Sequence, residues 1–229
     1  MEIKNTSLSP RLMSVCSFVP HGLKLADIGT DHARVPIFLI KSGAVPCAIA
    51  SDIGEGPLEK ARENITFFGL TNKIELRLGN GMTTLKEGDA DCIVIAGMGG
   101  ELMANLIADY IPFGVKRLVL QPMLDPHLVR KALCTAGFAI VAEDIVAEND
   151  KMYSVIAAEP GEMELSLEET YLSPFTKAHP LYERYLSFRL QRMRLAAENA
   201  IKAGAKTHLV EEYTILKNAY RCIKKPDNQ

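Results

Sequence analysis

Residues 25–33, Leu-Ala-Asp-Ile-Gly-Thr-Asp-His-Ala, set two carboxylates, a hydroxyl and an imidazole around a single glycine. The apolar run into Asp27-Ile28-Gly29 reads as a first strand feeding a ligand-binding turn. A turn that cradles a diphosphate needs several glycines, so that backbone N–H groups can approach the phosphates at a helix N-terminus. Thr30, Asp31 and His32 stand where those glycines would be, and Asp31 and His32 are expected to begin the next helix. Acids beside a diphosphate would repel it; beside a cationic ligand they cost little. Taken alone, D-x-G is also the pattern of an Asp-capped tight turn.

Three more stretches extend the pattern. "AIASDI" puts Asp52 and Ile53 about 20 residues beyond the glycine turn, where an acid bonds ribose hydroxyls or simply caps a helix. "LGNGM" offers Asn80 for an adenine amino group, Gly81 for close approach and Met82 for packing on the ring; its plainer reading is an Asn-Gly turn. "IVIAGMGGELM" leaves the backbone bare at Gly97, Gly99 and Gly100, either where a transferable methyl group would lie or for tight packing of the helix at Glu101. D-x-G, D and G-N-G at three successive strand ends point to a nucleoside ligand at the carboxyl edge of a sheet. S-Adenosylmethionine, a sulfonium nucleoside without phosphate, suits these residues.

The elements that must position them alternate. Strands are expected at 24–28, 47–52, 73–78, 91–96, 117–121, 138–146 and 152–159, and helices at 32–42, 56–68, 99–110 and 126–136, after a first helix within 7–18. Strand–helix alternation implies a parallel sheet covered on both faces, and "CIVIA" and "RLVLQ" are apolar enough to be buried on both. The last two strands follow each other across Asn149-Asp150-Lys151 without a crossover helix, which predicts an antiparallel hairpin at the sheet edge. The expected fold is α/β: a Rossmann-like, seven-stranded class I methyltransferase sheet with an antiparallel last strand, over residues 1–160. Residues 161–180 are polar, contain Pro174 and Pro180, and read as a linker. Residues 181–229 carry heptad-like spacing at Leu186, Leu190, Met193, Ala197 and Ala200, and again at Leu209, Tyr213, Leu216, Tyr220 and Ile223. With Gly204 between them, they read as a C-terminal antiparallel two-helix coiled-coil hairpin.

The 229 residues carry a net charge of −2, which hides an asymmetry. Residues 181–225 hold ten Lys/Arg against four acids, while residues 1–180 are acidic overall. A basic tail on an acidic body fits a polyanionic partner, and equally a solvated Lys/Arg-rich helix face. Five scattered cysteines without metal-ligand spacing suggest reduced thiols in a cytoplasmic protein, with no metal. There is no long apolar run and no basic-then-apolar leader, so no membrane association is expected.

"LADIGTDHARVP", "IASDI", "GNGM", "IVIAGMGG", "LVLQP" and "DKMYSVIAAE" together resemble the bacterial tRNA methyltransferase family that modifies N1 of adenine 22. The resemblance runs along the whole chain, basic hairpin included. It implies a class I methyltransferase fold, S-adenosylmethionine as donor, and the D-arm/anticodon side of tRNA as the substrate region. By similarity Asp27, Gly29, Asp31, His32, Asp52, Asn80, Gly81 and Gly97 would line the cofactor pocket, with Thr30, Ile53, Met82 and Ala96 beside them. Asp52 stands where other members carry Glu; either can take ribose hydroxyls. Adenine N1 has a free lone pair, so transfer needs no general base, only orientation and electrostatics. Asp31, Gly97, Met98 and Tyr153 are expected at the reacting end: Asp31 favouring the developing charge, the bare backbone bonding the adenine amino group, Tyr153 either stacking on the base or buried in its strand. Arg189, Arg192, Arg194, Lys202 and Lys206 are expected on tRNA phosphates, with Arg11 and Arg34 as RNA contacts or plain surface charges. A monomer or weak dimer is expected. The competing readings are a methyltransferase for another RNA, a protein or a small molecule, an NAD-dependent oxidoreductase, and a non-catalytic RNA-binding Rossmann protein.

Overall fold

The computed structural model describes residues 8–205 and 207–224. Seven strands form one sheet in the order β3-β2-β1-β4-β5-β7-β6. They are β1 (Leu25–Ile28), β2 (Ala48–Asp52), β3 (Ile74–Leu78), β4 (Cys92–Met98), β5 (Arg117–Pro122), β6 (Phe138–Glu148) and β7 (Lys151–Pro160). β1 to β5 pair in parallel, and β7 runs antiparallel to both β5 and β6. Strand order therefore reverses beside β1, so the carboxyl ends of β1 and β4 border the crevice where α/β sheets bind ligands.

Side-chain alternation along β4 shows why both faces must be covered. Cys92 and Val94 belong to one apolar cluster, with α1 (Pro10–Ser17) and α2 (Arg34–Lys41). Ile93 and Ile95 belong to the other, with α4 (Gly100–Asp109) and α5 (Pro126–Thr135). All four are fully buried, as expected of a strand in a doubly covered sheet. α3 (Glu55–Phe67) adds Ala61 and Ile65 to the first cluster. Ser9 caps α1 by accepting the Leu12 N–H, and Pro10 occupies the first turn, where no N–H is needed.

Two expectations about elements are corrected. Asp31 and His32 do not begin a helix: His32 and Ala33 hold positive φ of 62° and 53°, and α2 starts only at Arg34. The loop is held in this shape by the Asn64 side-chain amide, which donates to the His32 carbonyl. Residues 161–180 are not an open linker. They contain α6 (Leu167–Tyr171), closed by a capping box between Ser166 and Glu169, and Thr170, Tyr171, Leu172, Ser173 and Thr176 are buried.

α7 (Tyr182–Lys202) and α8 (His208–Lys224) form the helical hairpin. Its base is fused to the sheet. Tyr185 packs on Ile145 and Met152, and Leu186 packs with Leu172 and Leu216. Inside the joint, Arg130 makes two 2.9 Å bonds to Glu143 and donates to the Thr170 carbonyl at 2.7 Å. Lys206, expected on RNA, lies outside the described residues.

Candidate active site

The ends of β1, β2, β3 and β4 bring to one edge the residues expected to hold a methyl donor. At the end of β1, Gly29 has φ +72° and a Cβ there would collide with Met98 Cε. The Gly29 and Thr30 N–H groups both donate to the Ser51 carbonyl, at 2.8 and 2.9 Å, which ties this turn to the end of β2. Asp27 is buried, and the Thr30 hydroxyl donates to its Oδ2 at 2.6 Å. Burial pushes the Asp27 carboxyl up to about 6; the Thr30 hydrogen bond works against the rise and nearby Asp52 adds to it. Asp31 is exposed and lies 3.1 Å from His32 Nε2. Thr30 is itself buried, so its side chain holds Asp27 rather than a ligand.

At the next strand ends, Asp52 Oδ1 accepts the Gly54 N–H at 2.7 Å, leaving its other oxygen for a ligand. Ile53 is 73% exposed beside it, an apolar side chain in open solvent that suits the face of a purine. Asn80 is exposed, and Gly81 has φ +55° with Leu106 against the place of its missing Cβ. Met82 corrects the expectation of a ring contact: it lies in a short 3-10 helix, Gly81–Thr84, with its side chain only 1% exposed, packed in the core. At the end of β4, Gly97 is exposed with φ +85°, Ala96 and Met98 flank it, and the β4–β5 register shifts between them.

Arg11 and Tyr153 meet here, Tyr153 buried in its strand and Arg11 not as expected. Arg11 is no free surface cation. Its side chain donates to Gln121 Oε1, its backbone N–H donates to Glu148 at 3.1 Å, and its guanidinium lies 5.6 Å over the Tyr153 ring. Tyr153 is 7% exposed with Arg11 on one face, so it cannot sandwich a base without moving that arginine. Gln121 and Glu148 were not singled out from the sequence. A glutamine directly after the apolar run "LVL" was the available signal for the first; for Glu148 there was none.

Between this cluster and the hairpin lies a cleft of about 300 Å³. Tyr153 lines it from β7, Met123 from the turn after β5, and Phe188, Arg192 and Met193 from α7. Arg192, Arg194 and Lys202 are exposed on the hairpin, and Arg34 is exposed at the start of α2. Arg189 is not available to RNA. It is buried, bonded to Glu212 at 2.6 Å and to the Tyr171 carbonyl at 2.8 Å, because the joint between hairpin and core needs a charge-assisted tie there.

Residues 8–156 match the methyltransferase-domain family. The chain is 37% identical over 169 residues to the tRNA (adenine(22)-N(1))-methyltransferase of Bacillus subtilis, a span of 72% of this chain and 71% of that one. The chain belongs to this methyltransferase family. The solved structure of the B. subtilis M1A22 tRNA methyltransferase TrmK superposes with a TM-score of 0.81 at 30% identity, covering 96% of this chain and 99% of that one. M. capricolum TrmK, solved with the cofactor product S-adenosyl-homocysteine, gives 0.76 at 25% identity over 95% and 96%. Because both coverages include the C-terminal part, α7 and α8 belong to the family's architecture as much as the sheet does.

Proposed function

We propose that this protein transfers the methyl group of S-adenosylmethionine to N1 of adenine 22 in tRNA. The observation that carries the reading is the crevice itself: Asp27, Asp52, Ile53, Asn80 and Gly97 gather at consecutive strand ends in a chain that belongs to the family. Asp52 is placed for the ribose hydroxyls and Ile53 and Asn80 for the adenine of the donor. Asp27 favours the ammonium group of its amino-acid end. Gly97 and Met98 lie where the methyl group would be presented. The bound donor supplies an electrophilic methyl carbon; the protein's part is to orient N1 in line with it and to exclude water. Asp31, exposed at the same edge, favours the cationic base that results.

The cleft beside Tyr153 is proposed to take the unpaired base. Arg192, Arg194 and Lys202 of the hairpin, with Arg34, would hold flanking phosphates, making residues 181–229 the tRNA-binding part and residues 1–160 the donor-binding part. Among the described residues no helix is long and apolar enough to cross a membrane, and a tRNA substrate places the reaction in the cytoplasm. Incubation with unmodified bulk tRNA and methyl-labelled donor, followed by nucleoside analysis, tests the reading. Label in 1-methyladenosine supports it; label in another nucleoside, or in protein alone, rejects it.

A further inference from the structure

Gln121 is the polar residue in the otherwise apolar buried run 118–122 of β5. It is fully buried between Leu120 and Pro122, and its amide engages four neighbours. Oε1 accepts from Arg11 and, at 3.1 Å, from the Gly97 N–H; Nε2 donates to the Pro122 carbonyl at 2.9 Å and touches Met123 Sδ at 3.8 Å. A buried amide with its oxygen doubly engaged is costly to place and strongly directional. It sits where the β4–β5 register shifts, between Ala96 and Met98, and there its side chain takes the Gly97 N–H. Gly97, at φ +85°, would otherwise be free to turn.

The consequence follows from peptide geometry. In the planar trans unit joining Ala96 and Gly97, the carbonyl points opposite to the N–H. The Gly97 N–H is aimed at Gln121, on the β5 side of β4. The Ala96 carbonyl is therefore turned to the other side, toward the end of β1 and the Asp27–Gly29 turn. That is the donor side of the crevice, where an acceptor beside Asp27 meets the ammonium group of the donor. Arg11 reinforces the arrangement from α1: its guanidinium is held by Glu148 and Tyr153 and presses on the same oxygen.

We propose that Gln121, backed by Arg11, is a positioning residue for the donor: it fixes the Ala96–Gly97 peptide so that the Ala96 carbonyl receives the ammonium group of S-adenosylmethionine. This rests on the proposed use of S-adenosylmethionine but not on the identity of the methyl acceptor. The test is calorimetric binding of S-adenosylmethionine to the full-length protein and to two variants, with melting temperatures recorded alongside. Gln121→Glu keeps an oxygen for both Arg11 and Gly97, and should bind within about threefold of the original. Gln121→Leu keeps the volume and removes the acceptor, and should bind about tenfold or more weakly, the worth of one lost hydrogen bond to a charged group. Weakening in Gln121→Leu that Gln121→Glu restores supports the role, whatever the melting temperatures do. Equal binding by Gln121→Leu and the original overturns it, and so does equal weakening in both variants, which would make the residue merely structural. Failure of tRNA methylation with these binding results intact would reject the acceptor assignment and leave this inference standing.

Discussion

Asp27 carries a carboxyl pushed up to about 6 by burial, so it changes charge within the range in which enzymes are assayed. The sign runs against the usual carboxylate. Its folded value lies above the ordinary 3.8, so ionising it inside the protein costs stability, and that cost grows as pH rises from about 4 to about 6. A bound cation offsets the cost. Affinity for S-adenosylmethionine should therefore fall as pH is lowered through about 6, while Asp27→Asn should bind about tenfold or more weakly at pH 7.5 and lose most of the pH dependence. Binding isotherms at pH 5.5 and 7.5 check both statements; an unchanged slope in Asp27→Asn would assign the titration elsewhere. Residues at this scale were partly legible in the sequence. Asp27, Gly29, Asp52 and Asn80 announce themselves because each follows an apolar run. Met82 misled because an exposed ring contact and a buried core residue leave the same letter. Arg11 and Arg189 misled because a basic residue does not reveal whether its partner is a phosphate or a carboxylate distant in sequence.

Strands and helices of the sheet were readable to within a few residues, since each apolar run is bounded by turn residues. The polar stretch after β7 was not, because what orders it comes from elsewhere. α6 has only five residues and would not persist alone; Arg130 reaches the Thr170 carbonyl from α5, and Arg189 reaches the Tyr171 carbonyl from α7. The same joint sets the element-scale prediction. Arg130 and Glu143 are both almost fully buried and share two hydrogen bonds. Removing one partner strands the other charge, so Arg130→Met should lower unfolding stability by about 3–5 kcal/mol. Denaturant titration measures this; a loss below about 1 kcal/mol would mean that Glu143 does not depend on Arg130 as its partner.

Charge is divided across the whole molecule between an acidic sheet domain and a basic hairpin. Composition made that division legible, but not which cations are free. Arg189 is internal and Lys224 is paired with Glu183, whereas Arg192, Arg194 and Lys202 stay exposed. Reversing those three to Glu should weaken tRNA binding and lower the slope of log affinity against log salt by about one per lost phosphate contact. S-Adenosylmethionine affinity should stay within about twofold, because none of the three lies at the strand ends. Point reversals are the sound form of this test. Deleting the hairpin would strip Tyr185 and Leu186 from Ile145, Met152 and Leu172, and so disturb the sheet domain itself. The account as a whole turns on which atom receives the methyl group. Two tRNA transcripts that differ only at position 22, one with adenine and one with guanine, should be incubated with enzyme and labelled S-adenosylmethionine. The adenine transcript should gain one 1-methyladenosine, mapped to position 22, and the guanine transcript none; equal labelling of both, or methylation at any other position, would contradict the account.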